Sequence, residues 1–365
     1  MAREAPSIER CSVRAFEVPT DAPEADGTLS WNSTTLVLVE LEAGGTTGIG
    51  YTYAAAATAA FVREKLAGCV EGRGAFDIAG AFAAMLHAVR NDGRPGVAST
   101  AISAVDNAMW DLKARLLGLC VADLLGAARE SVALYGSGGF TSYDDGRLQE
   151  QLGGWAARGF RFVKMKIGRD LERERTRIAA ARRAIGDHCA LFVDANGACT
   201  RKEALATAEA AAAQGVRWFE EPVSSDDLAG LRLMRDRAPP GMAIAAGEYG
   251  YDAWYFRRML EAGAVDVLQA DATRCGGITG FMQAAALAHA FQVPISAHCA
   301  PALHLHACTA ALDAVHIEWF HDHVRLEHML FDGAPEAVDG RASVARDRPG
   351  FGLSLRTADA ERYEI

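Results

Sequence analysis

Residues 162–168 read FVKMKIG, an apolar segment that is interrupted by Lys164 and Lys166. Successive side chains of a β-strand point to opposite faces, so two lysines that are two residues apart share one face. Burying two unpaired ammonium groups side by side has a large free-energy cost. The segment therefore predicts a buried strand whose lysine-bearing face is directed at a strongly anionic group.

Similar short apolar segments recur after about residue 128, and they alternate with helical stretches such as residues 170–186 and 201–215. Parallel strands need a crossover connection, so eight strands that alternate with helices predict a β/α barrel. An open doubly wound sheet is disfavoured because no glycine-rich phosphate-binding segment follows the first strand. The predicted barrel strands are 132–137, 162–167, 190–196, 216–222, 243–248, 265–271, 293–298 and 314–318.

The first third of the chain has another pattern, in which strand signals at 33–41 and 44–53 come before helical ones. We therefore predict an α+β domain over residues 1–127, a barrel over 128–325, and a loop-rich segment over 326–365 that folds back on the first domain. The helical signals of the first domain are residues 54–68, 76–90 and 99–126.

Composition limits the classes of protein that remain. The 365 residues are 50% hydrophobic and 23% charged with a net charge of −10, which is typical of a globular protein and argues against nucleic-acid binding. We see neither a secretory signal nor an apolar run of the roughly 18 residues that a membrane span requires. The eight cysteines are scattered without a CxxC pair, which favours free thiols. We expect a cytoplasmic protein without nucleic-acid or membrane partners.

Polar residues stand at the carboxyl ends of six predicted strands, about one βα unit apart. In a barrel such positions surround the mouth at which active sites are built. Any one of them could instead cap the next helix, but six in register favour a functional cluster. These residues are Asp194, Glu220, Glu248, Asp271, His298 and Glu318.

The carboxylates of Asp194, Glu220 and Glu248 follow three successive strands and are expected to converge. Three close anions repel one another unless a cation lies among them, and oxygen ligands suit Mg²⁺. A metal site beside the lysine-bearing strand would also explain the two lysines. Asp271 and His298 follow adjacent strands, close enough for the carboxylate to orient the imidazole.

Other sites are less well supported. The segments HCAPALHLH and HIEWFHDHVRLEH bring seven histidines near one another in sequence, which could suggest zinc, but no HExxH spacing is present. The segment GGFTSYDDG lacks the GxSxG motif of serine hydrolases. Glu221, beside Glu220, is a candidate for supporting the metal site or capping a helix.

Together these motifs resemble the enolase superfamily and, within it, the mandelate racemase group. The resemblance covers nearly the whole chain, and each motif alone is weak. It implies an N-terminal α+β capping domain on a (β/α)7β TIM-like barrel, and homo-oligomers are usual in the group. The motifs are AISAVDNAMWDLKARLLG, VKMKIG, FVDANG, WFEEP, AAGE, DATRCGGITG and ISAH.

The resemblance also implies roles for individual residues. Lys166 would be one acid/base, and His298, paired with Asp271, the other. Lys164 would bind the substrate carboxylate and lower the pKa of Lys166, while Asn196 and Glu318 would contact substrate. The implied Mg²⁺ ligands are Asp194, Glu220 and Glu248.

The implied chemistry removes a proton α to a carboxylate through a metal-stabilised ene-diolate. We expect a Mg²⁺-dependent dehydratase that converts an aldonate or aldarate to a 2-keto-3-deoxy acid. A racemase or epimerase would use the same two bases. A cycloisomerase is disfavoured because Asp271 stands where muconate-lactonizing relatives carry a base lysine.

The polar segment 19–33, which we expect to cover the substrate, weakly favours a polyhydroxy acid. A non-catalytic protein on this scaffold would be expected to lack a ligand or a base, and none is missing.

Overall fold

The computed structural model describes residues 5–365. Its first domain contains an antiparallel sheet of three strands, β1 (Arg10–Ala25), β2 (Ser30–Ala43) and β3 (Thr46–Tyr53). The sequence predicts β2 and β3 but misses β1. This strand contains two prolines, and most of its residues from Glu17 to Pro23 are exposed or half-exposed. It also loses its register with β2 between Pro19 and Glu24.

Helices cover one face of this sheet, and the longest of them, α4 (Val97–Leu117), packs directly on β3. At Gly50 of β3, a Cβ atom would lie 2.2 Å from the Ala108 nitrogen and 2.3 Å from the Ala104 oxygen. Only glycine therefore allows the strand and the helix to approach so closely. The helices of this domain are α1 (Ala57–Phe61), a π-helical turn (Val62–Leu66), α2 (Ala67–Val70), α3 (Ile78–Ala88), α4 (Val97–Leu117) and α5 (Val121–Leu125).

The second domain is a closed barrel of eight parallel strands, and it confirms the predicted fold class. The barrel closes where its last strand, β11 (Ala314–Phe320), pairs with its first, β4 (Ser131–Gly138). Ile317 lies opposite Leu134, and Phe320 lies opposite Ser137. Each of the eight predicted strands is present. They are β4 (Ser131–Gly138), β5 (Phe162–Lys166), β6 (Ala190–Asp194), β7 (Val216–Glu220), β8 (Ala243–Ala246), β9 (Val267–Ala270), β10 (Ile295–Ala297) and β11 (Ala314–Phe320).

Seven helices connect the barrel strands, and their first turns show which residues act as caps. The helices that follow β6, β7 and β8 are capped by Thr200, Asp227 and Asp252. The carboxylates that end or follow these strands are therefore not helix caps. The connecting helices are α6 (Asp145–Ala157), α7 (Leu171–Ile185), α8 (Arg201–Ala212), α9 (Leu228–Arg237), α10 (Ala253–Glu261), α11 (Gly277–Ala290) and α12 (Pro301–Ala310).

Aromatic side chains fill the barrel below its mouth. Phe192 stacks on Trp218 with ring centroids 5.0 Å apart, and Tyr135 meets the edge of His316 at 4.8 Å. Burial lowers the pKa of His316 to about 3, so its ring is neutral and packs like the other rings. The ammonium of Lys164 lies 5.4 Å from the centre of the Tyr135 ring. The charged groups at the mouth thus rest on an apolar layer.

The C-terminal segment contacts both domains. Its strand β13 (Arg341–Ser343) pairs antiparallel with β4 of the barrel. The Phe351 amide donates a hydrogen bond of 2.6 Å to Asp111 in α4, and the Ile365 amide donates one of 3.0 Å to Ala15 in β1. The other elements here are α13 (His321–Leu330), β12 (Phe331–Asp332), β14 (Ser354–Leu355), α14 (Thr357–Ala360) and a 3₁₀ turn (Glu361–Tyr363).

Among residues 5–365, none of the helices combines the length and the apolar character that a membrane span requires.

Substituting Gly50 tests the close contact between β3 and α4. We expect Gly50→Ala to lower stability by about 1–3 kcal/mol, because the added methyl group overlaps helix backbone that cannot move independently. Gly154→Ala is the matched control, since a Cβ atom on this exposed helical glycine has nothing within 4 Å. The control should gain up to about 1 kcal/mol through helix propensity. Urea unfolding followed by circular dichroism measures both, and equal midpoints for the two variants would contradict the packing argument.

Candidate functional site

Three carboxylates converge at the mouth of the barrel. Asp194 and Glu220 end β6 and β7 and are directly paired in register, and Glu248 lies two residues beyond β8. All three are buried, and each offers an oxygen within 4.8 Å of the oxygens offered by the other two. The structure thus brings together the three residues that the sequence suggested as metal ligands.

The two lysines of β5 point into the same cluster. The Lys164 ammonium contacts Glu220 and lies 3.2 Å from Asp194 and 2.8 Å from Glu318. The Lys166 ammonium lies 2.6 Å from Asp194 Oδ2. Burial opposes charge on each lysine, but the carboxylates outweigh burial and raise the pKa of both. The anionic group that the lysine-bearing face requires is therefore this set of carboxylates.

Negative charge remains after the lysines have been paired. Both oxygens of Glu221, and Oε2 of Glu248, are buried and have no hydrogen-bond partner in residues 5–365. Burial, and then the neighbouring carboxylates, raise the pKa of Glu220 and Glu221 well above the ordinary range. A group of oxygen donors that lacks compensating charge fits a hard dication such as Mg²⁺.

Glu221 is not one of the three converging carboxylates, and it does not cap a helix. It follows the last residue of β7 with φ +39°, a left-handed conformation that ends the strand. The next helix is capped by Asp227, which excludes the capping role considered for Glu221. Its side chain lines a separate cavity beside the mouth, with Tyr255 and Arg258.

His298, predicted as the second acid/base, follows β10 and lies across the mouth from Lys166 of β5. His298 Nδ1 is 2.7 Å from Asp271 Oδ2, and its Nε2 is 3.3 Å from Glu248 Oε2. The other oxygen of Asp271 accepts hydrogen bonds from the amide and hydroxyl of Thr273, both 2.7 Å. Burial acts against charge on Asp271, but His298, with smaller contributions from His304 and Arg274, outweighs burial and holds the pKa of Asp271 low. Asp271 is thus an ionised carboxylate that fixes the orientation of the imidazole.

The remaining predicted residues, Asn196 and Glu318, also lie at the mouth. Asn196 has φ +47°, and its backbone amide donates a hydrogen bond of 2.9 Å to Asp194 Oδ1. The side-chain oxygen of Asn196 is buried and has no hydrogen-bond partner within the described chain. Glu318 Oε1 accepts a hydrogen bond of 2.6 Å from the Ser137 hydroxyl. Burial favours its neutral form, but Lys164, His298 and Lys166 together outweigh burial and hold the pKa of Glu318 well below its usual range. Glu318 is therefore an acceptor in this arrangement.

A cavity of about 340 Å³ opens between the cap and these groups. The segment 19–33, expected to cover the substrate, forms the end of β1 and the start of β2, and it contributes Asp26 and Trp31 to the cavity. Sequence reasoning missed Arg274 and Cys299, which also line it. Arg274 lies three residues beyond Asp271, and its guanidinium is 3.2 Å from the Glu248 carbonyl oxygen. Arg274 and Cys299 both lie on loops, where no periodic pattern marks a residue as inward-facing.

The histidines that could have suggested zinc do not converge. His304 accepts a hydrogen bond of 2.7 Å from the Ala272 amide, His306 accepts one of 3.2 Å from the Ala122 amide, and His316 belongs to the aromatic layer. Within residues 5–365, no group of potential metal ligands contains more than one histidine. His304, His306 and His316 therefore serve packing and hydrogen bonding.

The fold and this site define a class of enzyme that binds a divalent cation at the mouth of a β/α barrel. Residues 147–360 match the model of the enolase C-terminal domain-like family, and residues 10–126 match that of the mandelate racemase/muconate lactonizing enzyme N-terminal domain. The chain belongs to the mandelate racemase/muconate lactonizing enzyme group of the enolase superfamily, as its motifs indicated.

Relatives within this group have different activities. The chain is 34% identical to the 3,6-anhydro-alpha-L-galactonate cycloisomerase of Streptomyces coelicolor over 95% of this chain and 97% of that one. It is 31% identical to the L-talarate/galactarate dehydratase of Salmonella typhimurium over 84% and 77% of the two chains. A structure of a mutant of that dehydratase with Mg and L-glucarate has a TM-score of 0.91 and is 28% identical, with coverage of 99% of this chain and 92% of that one. A mandelate racemase/muconate lactonizing enzyme-like protein from Rubrobacter xylanophilus is 53% identical with a TM-score of 0.97, over 99% and 100% of the chains.

Cation binding can be tested without a substrate. Asp194→Asn and Glu248→Gln should weaken Mg²⁺ binding in calorimetric titrations, because each removes a negative charge from the carboxylate group. Lys166→Met should strengthen binding by about tenfold or more, since removing a nearby positive charge is worth roughly 1–4 kcal/mol at contact distance. Asp226→Asn, at an exposed position, is the control. If Lys166→Met weakened binding as much as Asp194→Asn, the lysine and the cation would not compete for the same carboxylates.

Proposed function

We propose that the protein is a Mg²⁺-dependent acid-sugar dehydratase that removes the proton α to a carboxylate and eliminates the β-hydroxyl. The observation that carries this proposal is the pair of unlike bases beside the carboxylate group. Lys166 contacts Asp194 at one side of the group, and His298 contacts Glu248 at the other. A substrate held between them would meet a base on each face of its α-carbon.

Asp194, Glu220 and Glu248 would hold the Mg²⁺, which, when bound, supplies positive charge where negative charge develops on the substrate carboxylate. Lys164 adds a fixed positive charge at the same place. Its ammonium is fully buried, so its interaction with the developing charge is weakly screened. Removing a proton α to a carboxylate is otherwise very unfavourable, because the product carries a second negative charge.

The reaction divides between the two bases. One of them takes the α-proton, and the C–H electron pair forms a double bond to the β-carbon. The C–O bond to the β-hydroxyl breaks, and the other group, acting as an acid, donates the proton with which that hydroxyl leaves as water. The resulting enol tautomerises to a 2-keto-3-deoxy acid. Which base acts first depends on the configuration at C2.

The lining of the cavity supports a polyhydroxylated substrate. Ser33, Thr34, Thr35 and Asn196 offer hydrogen-bonding groups at its walls, and Arg274 brings a positive charge. These groups match hydroxyl and carboxylate functions, while Trp31, Tyr53 and Phe320 line the apolar part of the cavity. The Salmonella relative, whose mutant structure contains Mg and L-glucarate, supports the same substrate class.

A cycloisomerase is the second candidate, because the Streptomyces relative carries that activity. The chemistry begins with the same α-proton. If the β-oxygen belongs to a ring, its elimination opens the ring and the product is an isomer of the substrate, whereas elimination of a free hydroxyl releases water. A racemase or epimerase would return the proton to the other face with no elimination.

A panel of aldonates, aldarates and their cyclic forms, incubated with Mg²⁺, separates these reactions. We expect an acyclic substrate to yield a product that lacks the mass of one water and forms a semicarbazone. Mass spectrometry and semicarbazide trapping measure the two properties. A product of unchanged mass from cyclic substrates alone would favour the cycloisomerase, and inversion without any keto acid would favour the epimerase. Lys166→Ala, assayed in parallel, is the control for contaminating activity.

The two bases can be separated by hydrogen exchange in D₂O. His298→Asn should stop dehydration yet retain exchange at C2 for one epimer, because Lys166 still reaches its own face. Lys166→Ala should show the opposite preference. Loss of an acid/base group typically costs about 10² to 10⁴ in rate, so proton NMR resolves the contrast. If both variants exchange both epimers at the wild-type rate, neither residue is the base.

A further inference from the structure

A second compact group of ligand atoms lies beside the carboxylates. His298 Nε2 is 3.3 Å from Cys299 Sγ, Cys299 Sγ is 3.4 Å from Glu318 Oε2, and His298 Nε2 is 3.7 Å from the same oxygen. We propose that these three residues form a binding site for a thiophilic dication, such as Zn²⁺ or Cd²⁺, that is distinct from the carboxylate site.

The separations fit tetrahedral coordination. Bonds of about 2.0–2.3 Å from zinc to oxygen, nitrogen and sulfur place neighbouring ligand atoms of a tetrahedron about 3.3–3.8 Å apart. All three distances lie in this range. A cation could therefore be held with only small side-chain adjustments.

The ligand atoms are already oriented by other groups. Asp271 contacts His298 Nδ1 at 2.7 Å, which leaves Nε2 directed at the group. Ser137 and Lys164 hold Glu318 Oε1, while Oε2 accepts the Cys299 amide at 3.0 Å and keeps a second lone pair. A carboxylate behind a ligating histidine is a common support of zinc sites, because it fixes the tautomer and raises the basicity of the ring.

An unusual backbone conformation places Cys299 beside its neighbour in sequence. Adjacent residues of an extended chain point to opposite sides, but Cys299 has φ +53° and Ala300 has φ +38°. The Cys299 thiol therefore faces the same cavity as the His298 ring. The thiol is free, and no cysteine elsewhere in residues 5–365 belongs to a group of potential metal ligands.

A candidate for the fourth coordination position lies next to His298, outside the compact group of three. Glu248 Oε2 is buried, has no hydrogen-bond partner within the described residues, and lies 3.3 Å from His298 Nε2. Water from the cavity could fill this position instead when Glu248 is occupied by Mg²⁺. Because both His298 and Cys299 line the cavity, an ion has a route from solvent.

The donor types select a different ion from the neighbouring site. A thiolate and an imidazole favour Zn²⁺ and Cd²⁺, whereas an all-carboxylate group favours Mg²⁺. On binding, the Cys299 thiol passes its proton to solvent, so the thiolate and the Glu318 carboxylate balance the two charges of the ion. The ion would occupy His298 Nε2 and so block the acid/base step, a consequence that rests on the proposed function.

Cadmium titration tests the site without turnover, so its outcome does not depend on the dehydratase proposal. With the carboxylates saturated by Mg²⁺, we expect the wild-type protein to bind about one equivalent of Cd²⁺ and to develop thiolate-to-cadmium ultraviolet absorption. Cys299→Ala should abolish this absorption. Cys308→Ala, which removes another buried cysteine, should retain it. Asp271→Asn should weaken the affinity about 10–100-fold through loss of the histidine support.

Each outcome decides the proposal. Absorption that persists in Cys299→Ala, or that never appears in the wild-type protein, would overturn the site. Asp194→Asn should retain the absorption, because Asp194 belongs to the carboxylate site. Loss of the absorption in this variant would show that the two sites are not distinct. Circular dichroism and a Cys299→Ser variant, which keeps the size of the side chain, establish that any loss does not arise from unfolding.

Discussion

Lys164 lies at the centre of the barrel mouth, with its ammonium held between Glu220, Asp194 and Glu318 from three different strands. Solvent screens these charges only weakly, since all four side chains are fully buried. An ammonium in this position is stable only if the carboxylates remain ionised, and the carboxylates remain ionised only if cations neutralise them. The rest of the site is arranged around this charge balance, including the unpartnered oxygens that fit a further dication.

The cap and the barrel are joined by buried polar contacts next to this cluster. The Asn107 side chain in α4 donates to the Ala272 carbonyl at 3.1 Å and accepts the Ile278 amide at 3.0 Å. Asp106 accepts hydrogen bonds from the amide and hydroxyl of Thr279, and burial raises its pKa to about 7. These bonds hold the loop that begins at Asp271. Helix α4 of the cap therefore helps to position the His298–Asp271 pair.

Two kinds of ligand group share one mouth in this protein. The carboxylates of β6, β7 and the segment after β8 are hard donors, whereas Cys299 adds a soft donor one residue beyond His298. The two groups approach most closely where His298 Nε2 lies 3.3 Å from Glu248 Oε2. His298, the acid/base that the proposed reaction requires, is thus also a residue that a competing metal would bind, since an imidazole nitrogen can serve as a base or as a ligand.

The sequence by itself determined the eight barrel strands and the polar residue at the end of six of them. Strand identity follows from short apolar runs, and the common face of Lys164 and Lys166 follows from the two-residue period, both of which are local properties. Strand β1 was missed because its prolines and exposed polar residues hide the period. Only the tertiary structure decided that Glu221 lines the cavity beside the mouth, that Cys299 lies with His298 at the mouth and that Arg274 reaches Glu248. The positions of Glu221 and Cys299 depend on left-handed backbone angles, and the contact of Arg274 with Glu248 depends on the packing of two adjacent strands, whose residues are far apart in the chain.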